Sequence, residues 1–271
     1  MTLELDQVTI RYGAHMALRE VHLKIQPGEV TAILGPNGSG KSTCLKALSG
    51  ELRPGDGRVL LDGMDLAGLA PEALATRRAV MPQRDELAFA FRVEEVIGLG
   101  LFGRSRLCGN GREAVLDAAS RADVAGYLDR NVLTLSGGER QRVAFARALV
   151  QLEAARRTPG KAAYLLLDEP TSSLDLAHVA ILLHEARRLV DGGVGVACVL
   201  HDLTLAARFA DRAALFRRGE LIAHAPVREA LTETKLTTLY DIPVRAGALA
   251  GEAVIYPSHQ RGRGALARAA E

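Results

Sequence analysis

Residues 35–43 have the residue types and the spacing of a loop that binds phosphate groups. Their sequence, GPNGSGKST, matches the pattern G-x-x-x-x-G-K-[S/T] at every fixed position. An apolar run at Val30–Leu34 precedes the loop and predicts a buried strand, and residues 44–49 predict a helix that ends at Gly50. Glycines let the backbone turn its N–H groups inward, and a helix N-terminus adds partial positive charge. We therefore expect a nucleoside triphosphate to bind here.

The side chains of this loop have distinct uses in phosphate chemistry. Lys41 can reach the β- and γ-phosphates, and the hydroxyl of Ser42 can ligate Mg²⁺. An ordinary glycine-rich turn does not require a full match placed between a strand and a helix. The nucleotide-binding residues that the motif predicts are Gly35, Pro36, Asn37, Gly38, Ser39, Gly40, Lys41, Ser42 and Thr43.

Two further apolar runs end in polar residues. The strand predicted at residues 162–167 ends in Asp168 and Glu169, and the strand predicted at residues 194–200 ends at His201. Ligands of open α/β sheets bind at the carboxyl ends of strands, so these groups are expected to converge on the same nucleotide. Asp168 would hold Mg²⁺, and Glu169 would polarise the attacking water. His201 is either a satisfied core residue or a hydrogen-bond partner of the γ-phosphate, and its place at a strand end favours the second interpretation.

Composition excludes several classes of protein. The 271 residues suffice for one large or two small domains, and a hydrophobic fraction of 48% supplies a substantial core. Aromatic residues make up only 4% and the net charge is +2, which argues against binding to nucleic acid by stacking or by bulk charge. The three cysteines, Cys44, Cys108 and Cys198, fit no metal-binding spacing and suit a reducing compartment.

No segment of the sequence indicates secretion or a membrane span. The first residues lack a basic region followed by an apolar stretch, so no signal peptide is expected. No apolar run approaches the length of about 18 residues that a membrane-spanning helix needs. We expect a cytoplasmic protein that, if it acts at a membrane, relies on a partner for the membrane-spanning part.

The remaining patterns predict an α/β fold with a mainly parallel core sheet, an N-terminal antiparallel β subdomain and a helical insertion. Alternating apolar residues at 3–25 and a hairpin-like segment at 52–63 give the antiparallel part. The segment from residue 84 to about 151 changes in composition and predicts helices at 93–97, 113–121, 124–128 and 139–149. Residues 152–161 predict a polar loop, and the tail from about 258 predicts disorder.

The segment LSGGERQ at residues 135–141 resembles the signature motif of ABC-type ATPases, a class of P-loop NTPases. The order of motifs also resembles that family, with Gln83 at the Q-loop position, the D-loop at residues 172–175 and His201 at the switch-histidine position. The resemblance covers about residues 3–245. It implies an ABC ATPase domain at 1–245, with a helical subdomain at about 84–151 inserted in a RecA-like core, and a C-terminal extension at 246–271.

The resemblance implies that ATP, with Mg²⁺, is bound and hydrolysed. It implies three catalytic residues, Glu169, His201 and Gln83. It also implies that Gln83 ligates the metal ion together with Ser42 and Asp168. The signature residues, which would bind the nucleotide of a partner subunit in a head-to-tail homodimer, are Ser136, Gly137, Gly138 and Glu139. Asp175 of the D-loop would lie near the dimer seam. The residue pattern leaves Tyr12 either a packed edge residue or a platform for adenine, and the resemblance favours adenine stacking.

The finer resemblance is to the ATPases of importers for iron chelates, haem and cobalamin. It rests on residues 81–83, 87–96, 174–178 and 239–244, and the polar insertion at 152–161 is most similar to haem importers. This implies partner permeases in the membrane, docked on the helical insertion, and a periplasmic or surface substrate-binding protein acting through them. The ATPase would sit peripherally on the cytoplasmic face of the inner membrane and contact no nucleic acid.

Other functions remain as alternatives. The nearest are ATPases of importers for ferric siderophores or cobalamin, which the sequence barely separates from haem importers. A soluble ABC ATPase of translation, DNA repair or cofactor assembly would bring a second ATPase domain, a long coiled coil or a zinc motif. A simple P-loop kinase would not need residues 136–138. The sequence also departs from the common family pattern at Cys44, Arg84 and Ser173, although none of these changes removes a catalytic group.

Overall fold

The computed structural model describes residues 1–83, 89–101, 111–156 and 161–258. Five sequence-based expectations fall wholly or partly outside these ranges. They concern Arg84, Cys108, part of the importer-like stretch at 87–96, part of the loop at 152–161, and the tail after Ser258. None of the helices in the described ranges is long and apolar enough to cross a membrane.

The strands of the described residues form three sheets. In chain order they are β1 (Leu3–Tyr12), β2 (His15–Ile25), β3 (Val30–Leu34), β4 (Asp56–Leu61), β5 (Met64–Asp65), β6 (Arg78–Met81), β7 (Tyr164–Asp168), β8 (Gly195–Val199), β9 (Arg212–Arg217), β10 (Glu220–Pro226), β11 (Val244–Leu249) and β12 (Glu252–Pro257). The sheet orders are β10-β9-β3-β8-β7-β6, β2-β1-β4-β5 and β11-β12.

The α-helices of the described residues lie between and around these sheets. They are α1 (Lys41–Ser49), α2 (Pro71–Ala75), α3 (Val93–Gly98), α4 (Gly111–Arg121), α5 (Gly137–Arg156), α6 (Leu176–Asp191), α7 (Leu203–Phe209), α8 (Val227–Ala230) and α9 (Glu233–Tyr240).

The central sheet is parallel from β9 to β6, and only β10 runs antiparallel to its neighbour. Every residue of β3, β7 and β8 is buried. Such uniform burial is typical of parallel strands that are covered on both faces, and it explains why their sequences are continuous apolar runs. The predicted α/β class with a mainly parallel core is confirmed.

The antiparallel sheet packs against α1, the helix that follows the phosphate loop. Alternate apolar residues of β1 and β2, such as Leu5 and Leu23, pack in one core cluster with Leu45 and Leu48 of α1. The predicted antiparallel strands at 3–25 are confirmed as a single long pair. The segment at 52–63 does turn at Asp62 into a short β5, but β4 pairs mainly with β1, in the register Leu5 with Val59.

The helices between β6 and β7 pack on one another, and two of the expected boundaries were wrong. Residues 124–128 form only a short 3₁₀ turn at Ala125–Tyr127 instead of a helix. Helix α5 runs to Arg156, so residues 152–156 are helical and not part of a loop. Leu152 and Ala155 are buried in the core, which explains why the helix continues through this polar-looking sequence.

The C-terminal part holds a hairpin that the sequence analysis did not predict. Strands β11 and β12 pair antiparallel from Val244 with Pro257 to Leu249 with Glu252. The hydroxyl of Thr204 in α7 ties the hairpin to the core, because it donates to the carbonyl oxygen of Ile255 at 3.1 Å and accepts from the Ile255 amide at 2.9 Å.

One charge pair links α6 to strand β3 and to the residue that precedes β9. Arg187 donates to both carboxylate oxygens of Asp211 at 2.8 and 3.0 Å, and the amide of Val30 donates to Asp211 Oδ2 at 2.8 Å. Burial alone would raise the pKa of Asp211, but these hydrogen bonds and the charge of Arg187 outweigh it and hold the pKa below its ordinary value. The pair therefore stabilises the fold in the ionised form of Asp211.

We expect Asp211→Asn to lower the free energy of unfolding at pH 7 by about 1–2 kcal/mol, since the charge pair is lost while an oxygen remains for the Val30 amide. Because the pKa of Asp211 is lowered in the folded state, its contribution is present above the ordinary range of Asp and disappears as the pH falls through the lowered value. Urea unfolding of both proteins across this acidic range should show the difference shrinking. Asp56→Asn, at an exposed carboxylate, is the control, and a difference independent of pH would contradict the assignment.

Candidate nucleotide-binding and hydrolysis site

The phosphate loop lies between β3 and α1, as the motif predicts. A β-carbon at Gly35 would stand 2.1 Å from the carbonyl oxygen of Phe216, so only glycine fits there. Gly40 caps the N-terminus of α1 and has no side chain to bind the amides of the first turn. Those amides and the helix dipole therefore form a cradle suited to an anion.

Two polar side chains of the loop are buried. Lys41 is buried and its Nζ donates to the carbonyl oxygens of Gly35 and Pro36 at 2.9 and 3.0 Å. Burial lowers the pKa of Lys41, while the negative charges of Glu169 and Asp168 act in the opposite direction. The buried hydroxyl oxygen of Ser39 has no hydrogen-bond partner among the described residues. An unpartnered buried hydroxyl is unfavourable, and a phosphate oxygen would satisfy it.

Oxygen donors suited to a divalent cation meet beside the loop. Ser42 Oγ donates to Asp168 Oδ1 at 3.2 Å, which joins the start of α1 to the end of β7. Burial raises the pKa of Asp168, and the hydrogen bond from Ser42 and the nearby lysines only partly oppose this. A hydroxyl, a carboxylate and the amide oxygen of Gln83 are hard ligands of the kind that Mg²⁺ prefers, so the donor set fits this ion.

Glu169 has an unusual backbone and two side-chain partners. It follows β7 with a φ of 51°, in the left-handed region that non-glycine residues rarely adopt. Its Oε1 lies 2.7 Å from His201 Nε2, and Gln83 also hydrogen-bonds its carboxylate. Burial favours the neutral form, but these hydrogen bonds, with the charges of His201 and Lys41, hold the pKa of Glu169 below its ordinary value. The group is thus an ionised carboxylate at neutral pH.

The phosphate loop opens into a cleft of about 320 Å³ that collects most of the expected residues. Its described lining comprises Tyr12, His15, Ala17, Asn37, Gly38, Ser39, Gly40, Lys41, Ser42, Thr43, Gln83 and Glu169. Tyr12 is 50% exposed and stands at the rim, as a stacking platform requires, rather than packed in an edge. His15 was not anticipated, because a lone histidine two residues beyond a turn carries no motif.

The signature residues stand apart from this cleft, since none of the four is among its described lining residues. Ser136 Oγ accepts from the Glu139 amide at 3.2 Å, and the Ser136 amide donates to Glu139 Oε2 at 2.7 Å. Ser136 and Glu139 therefore form a capping box at the start of α5. A β-carbon at Gly138 would lie 2.8 Å from the carbonyl oxygen of Ser173, so glycine allows the signature helix to approach the D-loop.

Asp175 caps the N-terminus of α6. Its Oδ1 accepts from the His178 amide at 3.0 Å and lies 2.7 Å from His178 Nδ1. Hydrogen bonds from the backbone and side chain of His178 hold the pKa of Asp175 below its ordinary value. On its other side, His178 Nε2 lies 3.3 Å from Asp123 Oδ2, so the histidine joins the D-loop to the turn after α4.

Two further residues reach the site from distant parts of the chain. The phenol of Tyr240 at the end of α9 lies near the Gly35 amide, and burial raises its pKa to about 12 against the effect of that amide. Gln141 of α5 bonds to the segment that follows β7. Neither role was predicted. A polar helix residue looks like part of a solvated face until its long-range contact is known, although Gln141 does lie within the segment that resembles the family signature.

These features define a nucleoside-triphosphate hydrolase of the ABC class. The sequence profile of the family described as "ABC transporter" matches residues 18–172. The chain belongs to this family and is an ATPase of the ABC type.

Two individual relatives match most of the chain. The chain is 40% identical over 263 residues to the hemin import ATP-binding protein HmuV of a Ruegeria species, covering 97% of this chain and 100% of that protein. It is 45% identical over 245 residues to the protein of the same name from Pseudomonas putida, covering 89% and 93%.

Solved structures support the fold. An inward-facing metal-chelate type ABC transporter, described as putative, matches with a TM-score of 0.75 at 24% identity, covering 95% of this chain and 97% of that one. A dimeric bacterial ABC transporter cassette matches with a TM-score of 0.73 at 29% identity, covering 83% and 99%.

We expect Lys41→Ala to weaken ATP binding at least tenfold, since one or two charge-assisted contacts of about 1.5–3 kcal/mol each would be lost. Equilibrium titration with a fluorescent ATP analogue measures the change. Lys24→Ala, which removes the same charge from the exposed face of β2, is the control. Equal affinity in the Lys41 variant and the control would refute the assignment of the phosphate loop.

Proposed function

We propose that this chain is the ATP-hydrolysing subunit of an importer for hemin, working as a homodimer with a membrane permease. The observation that carries the ATPase part is the 2.7 Å contact between Glu169 and His201 beside the phosphate loop. The hemin part is supported by the names of relatives that match nearly the whole chain at 40–45% identity.

The residues around the loop have separate proposed roles. Glu169 is the general base that orients and polarises the attacking water, because its lowered pKa keeps it ionised. His201 and Gln83 hold this carboxylate in place, and His201 can exchange that contact for the γ-phosphate when ATP is bound. Lys41 and the loop amides bind the β- and γ-phosphates, and Tyr12 stacks on adenine.

Mg²⁺ is the proposed cofactor, held by Ser42, Asp168 and Gln83. When bound it would neutralise negative charge that develops on the phosphates during hydrolysis. The hydrogen bond between Ser42 and Asp168 supports this proposal, because it brings a hydroxyl and a carboxylate oxygen together, and a nearby cation would favour the ionised form of Asp168.

The signature residues are proposed to bind ATP across a dimer interface. Ser136, Gly137, Gly138 and Glu139 form a second anion cradle at the N-terminus of α5, and they do not line the cleft of their own chain within the described residues. In the proposed head-to-tail dimer they bind the γ-phosphate of the partner's ATP, and Asp175 lies at the seam. Closure on ATP and release after hydrolysis would supply the motion that drives transport.

The chain is proposed to act peripherally at the cytoplasmic face of the inner membrane. We divide it into an ABC ATPase domain at 1–245, a helical subdomain inserted at about 84–151, and a C-terminal extension at 246–271. The packing of α3 and α4 against α5 supports the inserted unit as the surface that docks on the permease. A substrate-binding protein would deliver hemin to that permease, so hemin need not contact this chain.

The role of Glu169 is tested with Glu169→Gln. We expect hydrolysis to fall by at least 100-fold while ATP affinity is kept, because the general base is lost but the phosphate contacts remain. Size-exclusion chromatography with ATP and Mg²⁺ should then show a stable dimer.

Glu113→Gln, an exposed residue of α4, is the matched control for the loss of one carboxylate. Hydrolysis by Glu169→Gln at the wild-type rate would show that another group activates the water. If hydrolysis is lost but ATP induces no dimer, the assignment of Glu169 as the general base stands and the head-to-tail assembly is contradicted.

The transported substrate is tested in liposomes that contain the chain with its co-purifying permease. We expect binding protein loaded with hemin to stimulate ATP hydrolysis several-fold over empty binding protein. If binding protein loaded with a ferric siderophore or cobalamin stimulates hydrolysis instead, the assignment as an importer ATPase stands but hemin is not the substrate. If no permease co-purifies, the importer assignment itself fails and a soluble ABC ATPase takes its place.

A further inference from the structure

The amide of Gln141 joins the signature helix to the segment that carries Glu169. Gln141 lies one turn inside α5, and its side chain is partly buried. Its Nε2 donates to the carbonyl oxygen of Glu169 at 2.8 Å and to Ser172 Oγ at 3.3 Å, and its Oε1 accepts from the Ser173 amide at 3.0 Å. Both ends of one amide are therefore bonded to the same five-residue segment.

The chemistry of the partners fixes the orientation of this amide. The Glu169 carbonyl can only accept a hydrogen bond, and the Ser173 amide can only donate one. Rotating the Gln141 amide by 180° would place oxygen against oxygen and N–H against N–H. The contact is thus specific for a side chain with a donor and an acceptor in this arrangement.

The bonded carbonyl belongs to the residue with the strained backbone. Glu169 has a φ of 51°, and left-handed conformations of non-glycine residues persist only when their surroundings hold them. Its carbonyl oxygen otherwise accepts from the Ser172 amide at 3.3 Å, which is longer than the bond from Gln141. The orientation of this peptide determines where the side chain of Glu169 points.

We propose that Gln141 is a positioning residue that holds Glu169 in its left-handed conformation and so keeps the carboxylate aimed at the attacking water. It lies five residues beyond Ser136, which caps the same helix. In the proposed dimer it therefore connects the cradle for the partner's ATP with the general base for the chain's own ATP. This inference rests on the proposed role of Glu169.

The variant Gln141→Glu removes the donor part of the contact and keeps the acceptor part. The variant keeps the shape and the acceptor for the Ser173 amide, but replaces the donor with a charged oxygen that faces the Glu169 carbonyl. Gln141→Met, which has similar length and no charge, distinguishes the loss of the donor from the added charge. Gln26→Glu, at an exposed turn residue, controls for the change in net charge.

Steady-state ATP hydrolysis by the full chain is measured for each variant, alone and combined with Glu169→Gln. We expect kcat to fall about 10- to 100-fold in both Gln141 variants, the size of effect that misplacing a catalytic group produces. The KM for ATP should stay within about twofold, because the phosphate loop is untouched. The double variant Gln141→Glu/Glu169→Gln should be no slower than Glu169→Gln, since one acts through the other.

Other outcomes overturn the inference in recognisable ways. Wild-type kcat in Gln141→Glu, or a raised KM with unchanged kcat, would show that the contact does not position Glu169. A double variant slower than Glu169→Gln would show that Gln141 acts independently of that residue. Wild-type hydrolysis by Glu169→Gln alone would instead refute the proposed catalytic base, and with it this inference.

Discussion

The site depends on opposite charges held together where little water reaches them. Burial lowers the pKa of Lys41 and raises that of Asp168, so each group alone would be driven towards its neutral form. Isolated buried charges are strongly unfavourable, whereas paired and hydrogen-bonded ones are tolerated. The positive charge of Lys41 therefore supports the ionisation of the two carboxylates at the end of β7, which themselves disfavour each other's ionised form, and Glu169 gains further support from His201.

The parallel sheet is what brings these charges together. Strand β8 lies between β3 and β7, so His201, two residues beyond β8, lies between the segments that follow the other two strands. This order explains why His201 reaches Glu169 although the two residues are 32 positions apart in the chain. Because β3, β7 and β8 are wholly buried, their ends cannot shift without disturbing the core. The fold thus fixes the relative positions of groups that no local sequence feature connects.

Features of the structure that short sequence segments determine could be predicted, and features that depend on contacts between distant segments could not. The buried strands, the phosphate loop and the capping box at Ser136 were predictable, because short segments determine them. The extent of α5 was not, because the burial of Leu152 and Ala155 by other elements overrides a polar local sequence. The hairpin of β11 and β12 was missed because most of its residues are exposed and its anchor, Thr204, lies in another element. Gln141 and Tyr240 likewise act through contacts with distant segments, which no spacing rule reveals.

The signature serine can serve its own helix and a second nucleotide at once. Its Oγ accepts from the Glu139 amide and thereby caps α5, which uses one lone pair of the hydroxyl. The O–H hydrogen stays available and can donate outward to a phosphate oxygen without breaking the cap. Glu139 is bonded to the Ser136 amide, and its lowered pKa keeps it ionised, so the capping box would persist if a phosphate bound there. The proposed second cradle would therefore be pre-organised in a single chain, and closing the proposed dimer on ATP would require no exchange of hydrogen bonds at this helix terminus.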